Sequence, residues 1–111
     1  MSNGIFSVEF ETNLPDSGSG VVVIKDGAVN GGDANFLYQG HVPQTSGRFS
    51  GPFQVSKWKD GNTSVTGIDN YTLDASGEIN YETGTLSLSG TVAGNSSIRL
   101  ALTGRKLLPA V

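Results

Sequence analysis

Hydrophobic and polar residues alternate with a period of two along most of the chain. Between residues 5 and 12, Phe6, Val8 and Phe10 share one face and Glu9 and Glu11 lie on the other. This alternation is typical of a β-strand with one buried face. Similar apolar patterns predict further strands at 20–25, 28–30, 36–42, 48–59, 69–74, 79–83, 85–92 and 98–103.

Turn-forming residues separate these strands. Asp26-Gly27 stands between two apolar runs, which is a strong hairpin signal because both central residues of such a turn need positive φ. Residues 31–33 and 75–77 each predict a break in the chain. Pro52 lies inside a predicted strand, and since proline cannot donate to a β-ladder, that strand should lie at an edge, carry a bulge or pair weakly there.

The run from residue 21 to residue 24, Val-Val-Val-Ile, has no polar face. Either both sides of this strand are covered by the chain, or one side meets another protein. Val21 and Val23 are therefore candidate interface residues.

The strand pattern predicts an all-β, antiparallel fold of about eight strands in a single domain over residues 1–111. A closed β-barrel is the first choice and a tight sandwich the alternative. Gly40, Gly51 and Gly90 fall on inward-facing positions, where a closed sheet bends or narrows.

The composition of the chain limits the classes of function that it can have. The absence of cysteine excludes disulfides and thiolate metal sites and fits a reducing compartment. A net charge of -3 argues against nucleic acid as the main partner. The N-terminal residues have neither the basic segment nor the apolar run of a signal peptide, and no stretch is long and apolar enough for a membrane span. We therefore expect a cytoplasmic protein.

No residue pattern in the chain indicates catalysis or metal binding. His41 has no acidic or hydroxyl partner at a suitable spacing, so we interpret it as a surface residue. Asp33 follows two glycines, a setting more typical of a turn than of a cation site. Glu9, Glu11, Glu78 and Glu82 are expected on solvated positions. We expect no cofactor, and an enzyme ranks last among the hypotheses.

Trp58 stands between two lysines, as in some nucleic-acid stacking platforms. In an acidic protein this signal is weak, so we expect Trp58 either to plug one end of the barrel or to lie at an interface.

The inward-facing side chains either line a lipophilic cavity or fill the barrel completely. A chain this short favours a filled or nearly filled core. The residues of this set are Phe6, Val8, Phe10, Phe36, Tyr38, Phe53, Tyr71, Leu88 and Leu100.

Four segments of the sequence resemble the GrlR family of negative regulators of type III secretion genes. They are GIFSVEF, GVVVIKDGAVNGGDANFLYQG, DNYTLD and LSLSGTVAGNSSIRLALTGRKLLP. The most specific part combines Gly31, Gly32 and Asp33 with Tyr38, Gln39 and Gly40. We interpret the matching glycines and Asp33 as architectural.

The resemblance implies a calycin-like or lipocalin-like barrel that forms a homodimer. It also implies repression by binding a helix-turn-helix transcriptional activator and keeping it from DNA. The family's known member holds its activator through an acidic loop after the YQG strand. Here that connection, residues 42–47, contains no acid, so no functional residue carries over.

Overall fold

The computed structural model describes residues 3–12, 17–33, 36–57 and 70–109. They form one closed antiparallel barrel in which each strand pairs with the next along the chain, and β1 pairs with β8. This confirms the predicted all-β barrel over the sandwich. None of the described residues belongs to a helix that could cross a bilayer. The strands are β1 Gly4–Thr12, β2 Ser17–Lys25, β3 Ala28–Gly32, β4 Phe36–His41, β5 Gly47–Lys57, β6 Asn70–Asn80, β7 Thr85–Val92 and β8 Asn95–Leu108.

The predicted break at residues 75–77 is wrong. β6 runs without interruption from Asn70 to Asn80, and it pairs with β5 on one side and β7 on the other. The residue types at 75–77 are compatible with a turn. Pairing with strands on both sides, however, provides hydrogen-bond partners for the backbone of an extended strand, and this pairing determines the observed structure.

β2, β3 and β8 are longer than predicted, whereas the strand end predicted at residue 83 is wrong, because β6 ends at Asn80 and residues 81–84 form a turn. The glycines Gly31 and Gly32 belong to β3, and Ser17 begins β2. β8 includes Leu107 and Leu108, so these residues extend the sheet. The ends predicted at residues 59 and 69 lie outside the described residues.

Pro52 lies where β5 is paired on one side. It faces Asp74 of β6, while the ladder between β4 and β5 covers residues 36–39 and 54–57. Of the three predicted outcomes, reduced pairing at the proline is the one observed, because Pro52 has a ladder partner on β6 and none on β4.

The barrel interior is closely packed around Gly40 and Gly90. Phe6 and Ile24 are 0% exposed, and Gly40 leaves room for the ring of Phe53, which lies 2.4 Å from where a Cβ would stand. At Gly90 the backbone of β6 approaches instead, with the Asp74 oxygen 2.2 Å from the Cβ position. Both glycines therefore allow the close approaches that a bent or narrowed sheet requires, as the sequence predicted.

Backbone and side-chain hydrogen bonds close one end of the barrel. Asp26 and Gly27 have φ values of 53° and 84°, which confirms the predicted hairpin turn. The Asp26 amide donates to Asn3 Oδ1 at 2.9 Å, and the Val42 amide donates to the Gly27 oxygen at 2.8 Å. The Tyr81 hydroxyl donates to the Pro43 oxygen at 2.5 Å.

Candidate functional site

The outer wall carries a set of apolar side chains on four strands, which are exposed except for the half-buried Ile5. We call this set the apolar strip. Strand register joins its members, because Ile5 is paired with both Val23 and Leu108. Val21 is paired with Gly32, which is in turn paired with Leu37. The strip consists of Leu108 on β8, Ile5 on β1, Val21 and Val23 on β2, and Leu37 on β4.

The strip is exposed although its residues are apolar. Leu37 is 47% exposed, Val21 46% and Val23 37%, whereas Val22 and Ile24 between and beside the valines are buried. One face of the Val-Val-Val-Ile run thus enters the core and the other faces outward. Of the two interpretations of that run, coverage by the chain on both sides is wrong. Trp58, the third candidate interface residue, lies outside the described residues.

Sequence reasoning missed that Leu37, Ile5 and Leu108 belong to the same surface. Leu37 shares its face of β4 with the polar residues Gln39 and His41, and this apolar residue on a polar face was the available signal. The pairing that places it across Gly32 from Val21 depends on β3, which no local pattern specifies.

Asp33 and Tyr38, from the most specific part of the resemblance, contact each other. The Tyr38 hydroxyl donates to Asp33 Oδ2, and Asp33 Oδ1 accepts from the Phe36 amide at 2.8 Å. The Asp33 amide donates to the Phe36 oxygen at 3.0 Å. Asp33 therefore organises the connection from β3 to β4, as the turn interpretation predicted.

The other members of that motif have structural contacts. A Cβ on Gly31 would stand 2.1 Å from the Val21 oxygen, and one on Gly32 would stand 2.2 Å from the Phe36 oxygen, so both positions require glycine. The Gln39 side chain donates to Asn30 Oδ1 at 3.0 Å on the outer wall.

The environment of Tyr38 favours its neutral form. Burial, followed by the hydrogen bond to Asp33 and the negative charge of that carboxylate, raises the pKa of Tyr38 well above its ordinary value. The Tyr38 ring also meets Phe10 edge to face, with centroids 5.6 Å apart. Tyr38 is thus fixed by Asp33 through its hydroxyl group and by Phe10 through its ring.

All members of the predicted cavity-lining set face the interior. Tyr38 and Tyr71 are half-buried and the others are buried. Burial alone is compatible with both predicted alternatives, a lined cavity and a filled core.

Gly51 differs from Gly40 and Gly90, the other two glycines predicted on inward-facing positions. A Cβ at Gly51 would have no atom within 4 Å, although its paired residue Ala75 is 4% exposed and belongs to the core. A Cβ at Gly51 would therefore enter open space on the inward face of β5, where the chain is partly exposed, and the predicted narrowing of the barrel does not occur there. Phe49 and Phe53 flank it along β5, with ring centroids 6.3 Å apart.

The titratable side chains of the described residues lie mostly on the outer wall. His41 is exposed, as are the four glutamates predicted to be solvated. Within residues 3–12, 17–33, 36–57 and 70–109, no three His, Cys, Asp or Glu side chains form a group able to hold a metal ion. A shallow polar groove across β6, β7, β8 and β1 includes Glu9, Glu78 and Arg105.

Together, the closed eight-stranded barrel and the apolar strip define a small β-barrel protein with apolar side chains exposed on its outer wall. The family model described as T3SS negative regulator, GrlR, matches residues 1–109. The chain belongs to the GrlR family of negative regulators of type III secretion. A search of curated proteins finds no match.

Proposed function

We propose that this chain is a non-enzymatic regulator that acts by binding proteins, and that it represses type III secretion genes by sequestering a transcriptional activator. Family membership over residues 1–109 supports the regulatory role. The observation that carries the binding mode is the apolar strip, because exposed apolar side chains joined in one patch on a soluble protein are typical of contact surfaces.

The charge distribution supports binding to a protein over binding to DNA. The chain carries a net charge of -3, and the strip itself contains no charged side chain. A protein that binds DNA directly needs clustered cations to replace the counterions of the phosphates. Repression in this proposal therefore works through the activator, which loses access to its DNA site.

The contact differs from the acidic-loop mode that the family resemblance implies. In the connection from β4 to β5, Val42 is buried, and Gln44, Thr45 and Ser46 are exposed and uncharged. The activator is accordingly held by other surfaces of the barrel.

A gel-shift assay tests this function. The helix-turn-helix activator of type III secretion genes from the same genome is bound to its promoter DNA, and the purified chain is added at increasing concentration. The free DNA should reappear as the chain approaches the activator's concentration, while the chain alone shifts no DNA. An unrelated helix-turn-helix regulator on its own operator is the control. An activator that stays on DNA at a large excess of the chain would rule out sequestration.

One observation favours a second function, binding of a small lipophilic molecule in the barrel. The open space beside Gly51 lies on the inward face of β5, which also carries the aromatic rings of Phe49 and Phe53, and sites for small apolar ligands are lined mostly by such side chains. Native mass spectrometry of the protein purified from its own cells tests this function. A bound lipophilic adduct that Gly51→Leu removes and Gly47→Leu retains would support it, because Gly47 has similar space but is solvent-exposed.

A further inference from the structure

We propose that the barrel holds the activator through an added β-strand, which an extended segment of the activator forms along β5 at residues 48–52. This inference deepens the proposed function and rests on it. It names a backbone contact in addition to the apolar strip, and it defines the conformation and the chemistry of the partner segment.

The barrel wall opens locally between β4 and β5. Their ladder ends at the pair Gln39–Gln54, although β5 extends back to Gly47. β4 itself remains paired with β3 up to His41. Within the described strands, residues 47–53 of β5 therefore have ladder partners on β6 and none on β4. We call this side of residues 48–52 the free edge.

The connection from β4 to β5 is bonded to the neighbouring turns. The Val42 amide donates to the Gly27 oxygen at 2.8 Å. The Tyr81 hydroxyl donates to the Pro43 oxygen at 2.5 Å, and the Tyr81 amide donates to Ser46 Oγ at 2.9 Å. Among the described residues, no backbone group of the connection bonds to the backbone of β5, so the connection does not cover the free edge.

Pro52 shows which backbone groups point to the free edge. In an antiparallel ladder, hydrogen-bonded pairs alternate with pairs that exchange no hydrogen bonds, and a proline, which lacks the N–H, fits only the second kind. The ladder with β6 passes Pro52 without a shift of register, so the adjacent pair Gly51–Ala75 is the hydrogen-bonded kind. Ser50 and Arg48 alternate with Gly51 as Pro52 does. Their N–H and C=O groups are therefore directed to the side that β4 has left.

These backbone groups form a template for one more strand. Arg48 and Ser50 each present a donor and an acceptor, and Pro52 presents an acceptor. Unpaired groups along a strand edge pair readily with an extended segment of another chain. In this mode of recognition, main-chain hydrogen bonds give the affinity and sites for alternate side chains give the specificity.

The inward face beside the free edge has room for side chains of the added strand. A Cβ on Gly51 would have no atom within 4 Å, and Phe49 beside it is only half-buried. Every second side chain of the added strand points to this inward face. The preferred segment therefore carries an apolar residue at the position next to Gly51 and polar residues at the outward positions next to Ser50.

The residues on the outward face of the free edge limit what can pair with it. A proline and a charged side chain are the usual protection of an edge against aggregation, and Pro52 and Arg48 provide both. Protection alone requires no open space on the inward face. The combination of a short template with open space beside Gly51 fits a short segment of a specific partner.

Amide hydrogen exchange, measured by NMR on the full chain, tests the contact. The probe is the same helix-turn-helix activator as in the gel-shift assay. Exchange of the Arg48 and Ser50 amides should slow by at least about 10-fold in the complex, because both amides gain an acceptor. The Leu88 amide belongs to β7, which is paired on both sides, and its exchange should stay unchanged.

Ser50→Pro tests the free edge by substitution. The variant lacks the Ser50 N–H and places a ring on the free edge, while the ladder with β6 accepts proline at this kind of position, as Pro52 shows. The concentration of the chain that releases DNA in the gel-shift assay should rise by at least about 10-fold. Ser50→Ala keeps the N–H and is the matched control. Circular dichroism verifies folding, and the exchange measurement on the wild type decides if Ser50→Pro does not fold.

The outcomes separate this inference from the proposed function. If the wild type removes the activator from DNA while exchange of the Arg48 and Ser50 amides is unchanged, the added strand is overturned and sequestration stands. The same conclusion follows if folded Ser50→Pro acts as well as Ser50→Ala. Slowing of both amides with rising concentration of the chain alone would place a second copy on the free edge and overturn the activator as its occupant. If the wild type leaves the activator on DNA, sequestration fails and this inference fails with it.

Discussion

The hydroxyl of Tyr38 donates a hydrogen bond to the carboxylate of Asp33, five residues earlier in the chain. The same carboxylate accepts from the Phe36 amide, so one side chain joins the β3–β4 connection to a side chain inside the barrel. The edge-to-face contact between Tyr38 and Phe10 continues this link to β1. Strands that are not neighbours in the sheet are thereby coupled through one tyrosine.

Removing the Asp33 carboxylate should destabilise the barrel. Asp33→Ala leaves two donors without their acceptor, and we expect the free energy of unfolding to fall by about 1–3 kcal/mol. Asp33→Asn retains an acceptor for the Phe36 amide and should cost less. Urea unfolding measures both. Asp74→Ala, at an exposed position on β6, is the control, and an equal loss in that variant would show that the Asp33 contacts contribute little.

Alkaline pH should destabilise the protein through Tyr38. Its pKa is raised in the folded state, while in the unfolded chain it ionises near pH 10. The stabilisation is therefore complete below about pH 10 and decreases above it, by up to about 1.4 kcal/mol per pH unit for one tyrosine.

Comparison with Tyr38→Phe isolates this effect. The slope of unfolding free energy against pH between about 10 and 12 should be smaller in the variant. Burial also raises the pKa of Tyr81, so Tyr81→Phe should remove a separate part of the slope. Identical slopes in wild type and Tyr38→Phe would contradict the assignment.

The closed barrel could be predicted from the sequence because each strand has one face that must be buried. In β1 and β7 the two-residue period alone identifies the buried side chains, such as Phe6 and Leu88. The break predicted at residues 75–77 failed because pairing with distant strands outweighs local turn preference.

The candidate surface was only partly predictable. Val21 and Val23 were recognisable because a strand in a barrel wall needs apolar side chains on its inner face only, whereas this run carries them on both faces. Leu37 and Leu108 join them through register with β3 and β1, which depends on contacts far apart in sequence. The side-chain bond from Tyr38 to Asp33 likewise requires knowledge of where the turn places the carboxylate.

Alanine at Gly40 and at Gly51 should have opposite consequences. At Gly40 the new methyl group meets the Phe53 ring at 2.4 Å, and displacing that ring from a packed core should cost about 1–3 kcal/mol. At Gly51 the methyl group enters open space, and alanine restricts the unfolded chain, so stability should be unchanged or rise by up to about 1 kcal/mol.

Thermal and urea unfolding of both variants provide the measurement. The two glycines lie on neighbouring strands and face the same interior, which makes each the control for the other. A loss at Gly51 as large as that at Gly40 would show that the space beside Gly51 is not available.

Gly77 should be among the least replaceable residues of β6. A Cβ there would stand 2.0 Å from the Ser87 oxygen and 2.6 Å from the Leu88 Cα, and backbone atoms of a paired strand cannot move aside as a flexible side chain can. Gly77→Ala should therefore lower the free energy of unfolding by about 3 kcal/mol, at the upper end of the usual cost of overpacking. Ser76→Ala, one residue earlier and exposed, should stay within about 0.5 kcal/mol of wild type. A Gly77→Ala variant as stable as Ser76→Ala would mean that β7 does not approach β6 this closely.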